Sequence, residues 1–547
     1  MNLISALVLR HSALFFWAPR WLDLVLSSAL VSVALWWRYR FTSRQLHEIW
    51  RRYWEVCLLG ALTVLAFAVR RAGLYFGLPF CTGVDEEAVV YPATRIITTG
   101  DLNPHFFHYP SFGYYLAALT LLIGYFREAG AGVCAHFGDL PSYVPYYYAR
   151  LLSAVSSAAT VPVVYAIGRR VATKGAAAIG ALLIALSPVS VAEGRLASFH
   201  SIAPLLVALA LWALLEFVDL GSTYLILAAG ALAGLAVSTM YYCASLVPVV
   251  VAGALLGARK QRIVLAACAL AATTAGFFAV SPYALLDLGT FATQFGERIH
   301  MAVANVGWGI GSTGGTTALQ YAGGLVHGFG YAAGLFFTAC ALADIAAFHT
   351  RRLLLFGFVF LHLGFVGAYP SGFGRYMGPA VPIYALLAAH GLVRVMGAIS
   401  QWLPRKASIG IWVASMSLFF FSPVRSQIRW LHHYRAPSAP AQARAWIDAN
   451  IDAGAAILLE ERTPFLPQRY TRAIRRNRAV DTTASDLLRV DLRYLLLSRS
   501  IYTRNLENEA RYDRLLRRLD ARRLAVFDGN DVILNPTIEI YQVGAAR

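Results

Sequence analysis

Thirteen apolar runs, at about residues 22–37, 54–70, 113–126, 149–167, 175–193, 201–217, 221–238, 242–257, 262–280, 328–349, 353–369, 376–396 and 407–422, alternate with short polar segments. Most have the length that a helix needs to cross a hydrocarbon core of about 30 Å. The polar gaps differ in charge. Arg38, Arg40, Arg44, Arg51 and Arg52 mark one gap and Arg169, Arg170 and Lys174 the next. Arg259, Lys260 and Arg262, then Arg351 and Arg352, then Arg394, Arg405 and Lys406 continue the series. Short cytoplasmic loops collect such residues, so these clusters predict inside ends and put 71–112, 194–200, 281–325, 370–375 and everything after 422 outside. The run 113–126 breaks the alternation and is short for a span, so it is expected to lie against, or half inserted in, the outer leaflet. Eleven crossings then follow from residue 54 onward, with 22–37 as an extra N-terminal segment. Ahead of these runs, Arg10 lies within the apolar N-terminus and there is no small-residue cleavage site, so a cleaved signal peptide is not expected.

Composition strengthens this picture. The 547 residues are 58% hydrophobic and 14% charged, which predicts an α-helical polytopic membrane protein of about 11–13 transmembrane helices rather than a soluble enzyme. The formal charge of +18 is nearly all Arg, the only lysines being Lys174, Lys260 and Lys406. No basic stretch is interleaved with stacking aromatics, so no nucleic-acid partner is expected. The lipid bilayer, with anionic lipid or lipid phosphate, is the partner such charge suits. After Ser422 the pattern changes: "AAILLE", "RYLLLS", "LAVFD" and "TIEIYQV" read as strands between helical patterns such as "YDRLLRRLD". The chain thus divides into 1–53, an extra membrane segment with an Arg-rich loop; 54–422, the membrane domain; and 423–547, a small extracytoplasmic α/β domain. Of six cysteines, Cys81 and Cys134 fall outside, where they either pair or stay as two thiols; the rest sit in apolar runs.

Against so little acid, "GVDEEAVV" places Asp85, Glu86 and Glu87 together in the first long outer loop. One reading is plain helix capping, since carboxylates favour a helix N-terminus. The other is catalytic. Arg95, Asp101, His105 and His108 follow closely at a membrane surface, where ionisable groups are costly unless used, and a carboxylate so placed is a candidate general base. Asp85, Glu86, His105, His108 and His200 could also gather a divalent metal; spacing leaves this open. The outer segment "GERIHMAVANVGWGIGSTGGTTALQY", with His300 and Trp308, is either a cover that reads a substrate or a Gly-rich connector.

Five stretches in order resemble a known family: "VDEEAVVYPATRIITTGDLNPHFFHYPSFGYYLAAL", "YYARLLSAVSSAATVPVVYAIGRRVAT", "ALSPVSVAEGRLASFHSIAPLLVALALW", "SPYALLDLGTFATQF" and "GRYMGPAVPIYALLAAHGL". Together they resemble the GT-C membrane glycosyltransferases, in particular the dolichyl-phosphate-mannose protein mannosyltransferases and the lipid A aminoarabinose transferase. The resemblance implies a multi-pass protein of the cytoplasmic (plasma) membrane that moves a sugar from a polyprenyl-phosphate donor to a lipid, polysaccharide or protein acceptor on the outer face, with inversion. Asp85 matches the family's catalytic Asp and Glu86 its acidic neighbour. Arg150, Arg195, Arg375 and His108 match positions expected to hold the donor phosphate, the alternative for each being an interfacial anchor. Glu87, His105, Tyr109, His200 and Trp308 are candidates for acceptor or substrate contact. Two positions depart from the pattern: His200 stands where many relatives have Asp, and Met240 follows Thr239 where relatives often have Lys. A flippase or transporter of lipid-linked sugar, or a non-catalytic binding subunit, are the other readings.

Overall fold

A computed structural model describes residues 43–544 except 81, 82, 84, 259, 305–316, 369–373, 435, 468, 477, 482–490, 503–505 and 530–534. The run 22–37 and Trp308 lie outside the described residues. Two compact units divide the chain, residues 1–61 and 62–547. The C-terminal α/β part therefore shares a unit with the helices from residue 62 onward.

Among the described residues, seven helices are long and apolar enough to cross a membrane: Tyr53–Arg71, Val144–Val171, Phe199–Leu220, Arg262–Val280, Thr350–Gly367, Val381–Ser400 and Arg405–His433. Ala318–Val326 and Tyr331–Ala346 form a bent pair, which turns at Gly330 in the left-handed region. The other three expected crossings are shorter apolar helices, Lys174–Ala185, Thr223–Val237 and Tyr241–Gly257. Local chemistry explains the first of these. Ser187 accepts from the Ser190 N–H and, with Pro188 at the first helical position, starts a separate helix, Pro188–Glu193, so the apolar run 175–193 is cut in two. The run read as surface-lying becomes the helix Phe112–Gly130 and is not one of the seven.

Small residues let the helices touch. A Cβ on Gly234 would stand 2.2 Å from the Thr273 carbonyl oxygen, and one on Gly276 would stand 2.6 Å from that of Ala231. Thr223–Val237 and Arg262–Val280 therefore pack backbone against backbone, as membrane helices do. Outward-facing Ile409, Val413, Leu418 and Phe421 on Arg405–His433 form the kind of surface that lipid covers. Several Arg clusters converge at one end: Arg170 meets Glu216 and Asp219, Arg351 meets Asp219 and the Arg170 carbonyl, and Arg352 and Arg394 meet Asp344 at 2.9 and 2.6 Å.

The C-terminal sheet has the order β2-β1-β3-β5-β4, with β1 (Ile457–Glu460) parallel to β2 (Ala473–Arg476) and β3 (Tyr494–Ser498), and β5 (Ile538–Gln542) antiparallel to β3 and β4 (Arg522–Phe527). Strand alternation divides its apolar residues between two layers. Leu458, Leu495 and Leu497 pack on the Leu506–Arg518 helix through Tyr512 and Leu515; Ile457, Leu459 and Leu496 pack with Ile447 of the Ala439–Asn450 helix. β2 was not expected from the sequence.

Candidate active site

Consecutive carboxylates at the start of the Glu86–Thr99 helix point to different partners. Glu86 is wholly buried. Its two oxygens accept from Arg150 Nε and Nη2, both at 2.7 Å, and from the backbone N–H groups of Ala197 (2.7 Å) and Gly83 (2.5 Å). Arg150 Nη1 donates to the carbonyls of Leu74 and Phe76. The pair thus ties residues 74–86 to the Val144–Val171 helix and to the 194–198 segment. Arg150, expected to hold donor phosphate, has every nitrogen engaged in this staple, and Glu86 is equally enclosed.

Asp85 is turned the other way. It precedes the helix in the left-handed region, φ 62°, and its side chain makes no cap hydrogen bond. Plain capping is therefore not what this carboxylate does. A non-glycine residue held there stores strain of the kind that clusters at functional sites. Its Oδ2 accepts from Arg375 Nη2 at 2.7 Å, the two side chains being 21% and 13% exposed. They line a cleft with Val89, Tyr109, Leu196, Ala197, Ser198, Phe199, His200 and Met240. Burial works against the Arg375 charge, but Asp85, then Tyr109 and Glu193, outweigh it and hold the guanidinium protonated more firmly than in water. Glu193, buried nearby, accepts from the Ser198 hydroxyl at 3.1 Å; burial raises its carboxyl above the usual range, partly opposed by Arg375.

The helix Leu288–Ala304 fastens the other wall. Gln294 Oε1 accepts from the Phe107 N–H at 2.6 Å, Asp287 accepts from Asn103 Nδ2 at 2.9 Å, and Glu297 stands 3.7 Å from His108 Nε2. Tyr241 donates to the Phe107 carbonyl. From the same helix Arg298 lies over the Tyr109 ring, 5.6 Å from its centre, and donates to the Tyr376 hydroxyl at 3.2 Å. Arg298 thereby packs against Tyr109, one of the residues that line the cleft. The sequence reading missed this arginine; the spacing of Gln294, Glu297 and Arg298 on one helical face was the available signal.

The remaining expected residues are dispersed. Arg195 is buried against the Tyr434 ring at 4.9 Å, donates to the Val69 carbonyl and the Tyr434 hydroxyl, and so fastens the end of Arg405–His433 rather than facing the cleft. His108 packs on Phe106, and burial lowers its imidazole below the usual value. His105 is exposed and bonded to Asp101 at 2.7 Å. His200 lies in the cleft wall, its Nδ1 2.7 Å from the Tyr242 hydroxyl; Met240 puts a thioether where a cation was expected. Glu87 is on the surface. The five residues considered for a metal therefore point to different partners. Among the described residues the group of three that does gather within 4.8 Å is Cys340, Asp344 and His390, none of them among the five. Cys134 is a free thiol, and Cys81 lies outside the described residues.

Residues 146–285 match the family described as dolichyl-phosphate-mannose-protein mannosyltransferase. Among solved structures the fold resembles ArnT from Cupriavidus metallidurans bound to undecaprenyl phosphate, at 14% identity and a TM-score of 0.54, over 89% of this chain and 98% of that one. It also resembles the oligosaccharyltransferase AglB from Archaeoglobus fulgidus in complex with an inhibitory peptide and a dolichol-phosphate: 12% identity, TM-score 0.52, 82% of this chain and 70% of that one. No curated protein matches the chain in sequence. The fold thus resembles that of these membrane glycosyltransferases, the fold that the sequence resemblance implied.

Proposed function

We propose that the protein transfers a sugar from a polyprenyl-phosphate donor to an acceptor hydroxyl on the extracytoplasmic face of the plasma membrane, inverting the anomeric centre. The observation that carries this reading is the pairing of Asp85 with Arg375 in one cleft, with Arg298 packed on the ring of Tyr109, which also lines it. Solved structures of similar fold hold dolichol-phosphate and undecaprenyl phosphate. In the reaction the acceptor oxygen bonds to the anomeric carbon as the bond from that carbon to the phosphate oxygen breaks. Asp85 takes the hydroxyl proton and polyprenyl phosphate leaves with the electron pair. A phosphate leaving group needs no strong acid, only positive charge, which Arg375 and Arg298 supply.

The deciding experiment offers purified protein a panel of radiolabelled polyprenyl-phosphate sugars with membrane extract as acceptor, wild type beside Asp85→Asn. Transfer by the wild type, reduced about 10²- to 10⁴-fold in the variant, is expected of a general base. Transfer unaffected by the substitution refutes the assigned role. Translocation of label without covalent transfer would favour a flippase, and loss of all transfer with folded protein a binding subunit.

A further inference from the structure

The Asp85–Arg375 bond raises a difficulty for that reading, and the difficulty suggests a mechanism. A general base must present an oxygen to the acceptor's proton, yet the proposed base already accepts from Arg375 Nη2 at 2.7 Å. Of the three arginines expected to hold donor phosphate, Arg375 is the best placed, because Arg150 and Arg195 are occupied elsewhere.

We propose that Arg375 is exchanged between two anions: it holds Asp85 while the cleft is empty of donor, and donor phosphate takes it over, releasing Asp85 as the base only when a sugar is in place. The inference rests on the proposed function. Four observations support it. First, Asp85 is not committed to its own helix, since the side chain makes no cap hydrogen bond. Second, Arg375 and Asp85 are partly accessible, in contrast to Glu86 and Arg150, each 0% exposed. Third, Arg298 meets a phenol ring and a phenol hydroxyl rather than a carboxylate, so a second cation is available to strengthen the phosphate against Asp85. Fourth, phosphate carries more charge and more acceptor oxygens than a carboxylate and suits the planar fork of a guanidinium at least as well. Binding becomes ordered, donor before acceptor. The released carboxylate is then open to accept the acceptor's hydroxyl proton at the step that needs it.

The test is a double-mutant cycle on binding of undecaprenyl phosphate to the purified full chain, with Asp85→Asn and Arg375→Gln singly and together, and Glu193→Gln as a control for simple loss of a nearby negative charge. If Asp85 competes for Arg375, Asp85→Asn tightens binding by about fivefold or more in the wild-type background, and the gain falls below about twofold when Arg375 is already Gln. Glu193→Gln should change affinity by less than about twofold. Arg375→Met, which removes the charge but keeps much of the side-chain length, gives the same comparison if Arg375→Gln does not fold. Equal tightening in both backgrounds, or none in either, overturns the exchange while leaving a donor site. Failure of the wild type to bind undecaprenyl phosphate overturns both this inference and the reading on which it rests.

Discussion

Glu86–Arg150 and Asp85–Arg375 are two acid–guanidinium pairs made by neighbouring residues at one helix start, and they differ in almost every physical respect. The first is fully buried, bidentate and reinforced by two backbone N–H groups and two carbonyls. The second is a single bond at the edge of a cleft, between side chains that solvent still reaches. A closed pair can only hold structure; an open pair can be exchanged. The family resemblance gives Asp85 as catalytic with Glu86 as its acidic neighbour; in the structure Glu86 belongs to a buried staple and Asp85 lines the cleft.

The largest expected effect follows from the closed pair. Glu86→Gln leaves Arg150 buried without its counter-charge, which costs about 3–5 kcal/mol in comparable sites. Thermal unfolding in detergent should show this as a large loss of folded protein. Asp85→Asn, at the open pair, should unfold within about 1 kcal/mol of wild type. Equal destabilisation by the two substitutions would erase the distinction between staple and reactive group.

Glu460 sharpens the contrast, being a buried carboxylate held by neutral donors. It accepts from the N–H groups of Ala479 and Ser498 and from the Tyr512 hydroxyl. Burial raises it from 4.5 to about 7, the donors only partly opposing. The folded value lies above the unfolded one, so its stabilising contribution is complete below about pH 4.5 and is lost as pH rises towards about 7. The loss is on the order of 3 kcal/mol. Hydrogen-exchange protection of the β1 and β3 amides, corrected for intrinsic rate, should fall across that window and level off above it; Glu460→Gln should remove the slope. A pH-independent profile in the wild type would show that this carboxyl is not held neutral.

Arg298 tests whether the open site extends beyond its pair. Arg298→Gln removes the cation beside Tyr109 and Tyr376, next to the proposed donor site, but leaves Asp85 and Arg375 in place. The donor KM should rise about tenfold with kcat changed less, the pattern of an interaction made equally in ground and transition states. An unchanged KM would confine the donor site to Arg375.

The legible part of the sequence was what depends on local pattern. Apolar runs located the helices, the strand-like stretches after Ser422 anticipated four of the five strands of the C-terminal sheet, though the helix Arg405–His433 runs past that point, and three acids in an Arg-rich chain drew attention to Asp85. Partner identity was not legible. Arg150, Arg195 and Arg375 look alike as arginines near helix ends, yet one meets Glu86, one a tyrosine ring far along the chain, and one Asp85. Long-range pairing of this kind leaves no trace in spacing. Run length also overstated helix length, because an apolar run can conceal a cap such as Ser187 followed by Pro188.

His105 gives the smallest expected effect and the cleanest check on this limit. Its place in the acidic loop made it a candidate for substrate contact, but its Nε2 bonds Asp101 at 2.7 Å, with the two side chains 44% and 39% exposed. That bond, then the Asn103 N–H, holds the Asp101 carboxyl below its usual range, so the pair describes a surface turn. The turn is also secured without the imidazole: Asn103 reaches Asp287, and the Phe107 N–H reaches Gln294. Exposed pairs of this sort contribute little on their own. Transfer by His105→Ala should therefore stay within about threefold of wild type, measured in the same donor panel. A fall comparable to that of Asp85→Asn would mean that the acceptor reaches the outer loop, and that an open, exposed pair can matter as much as the one in the cleft.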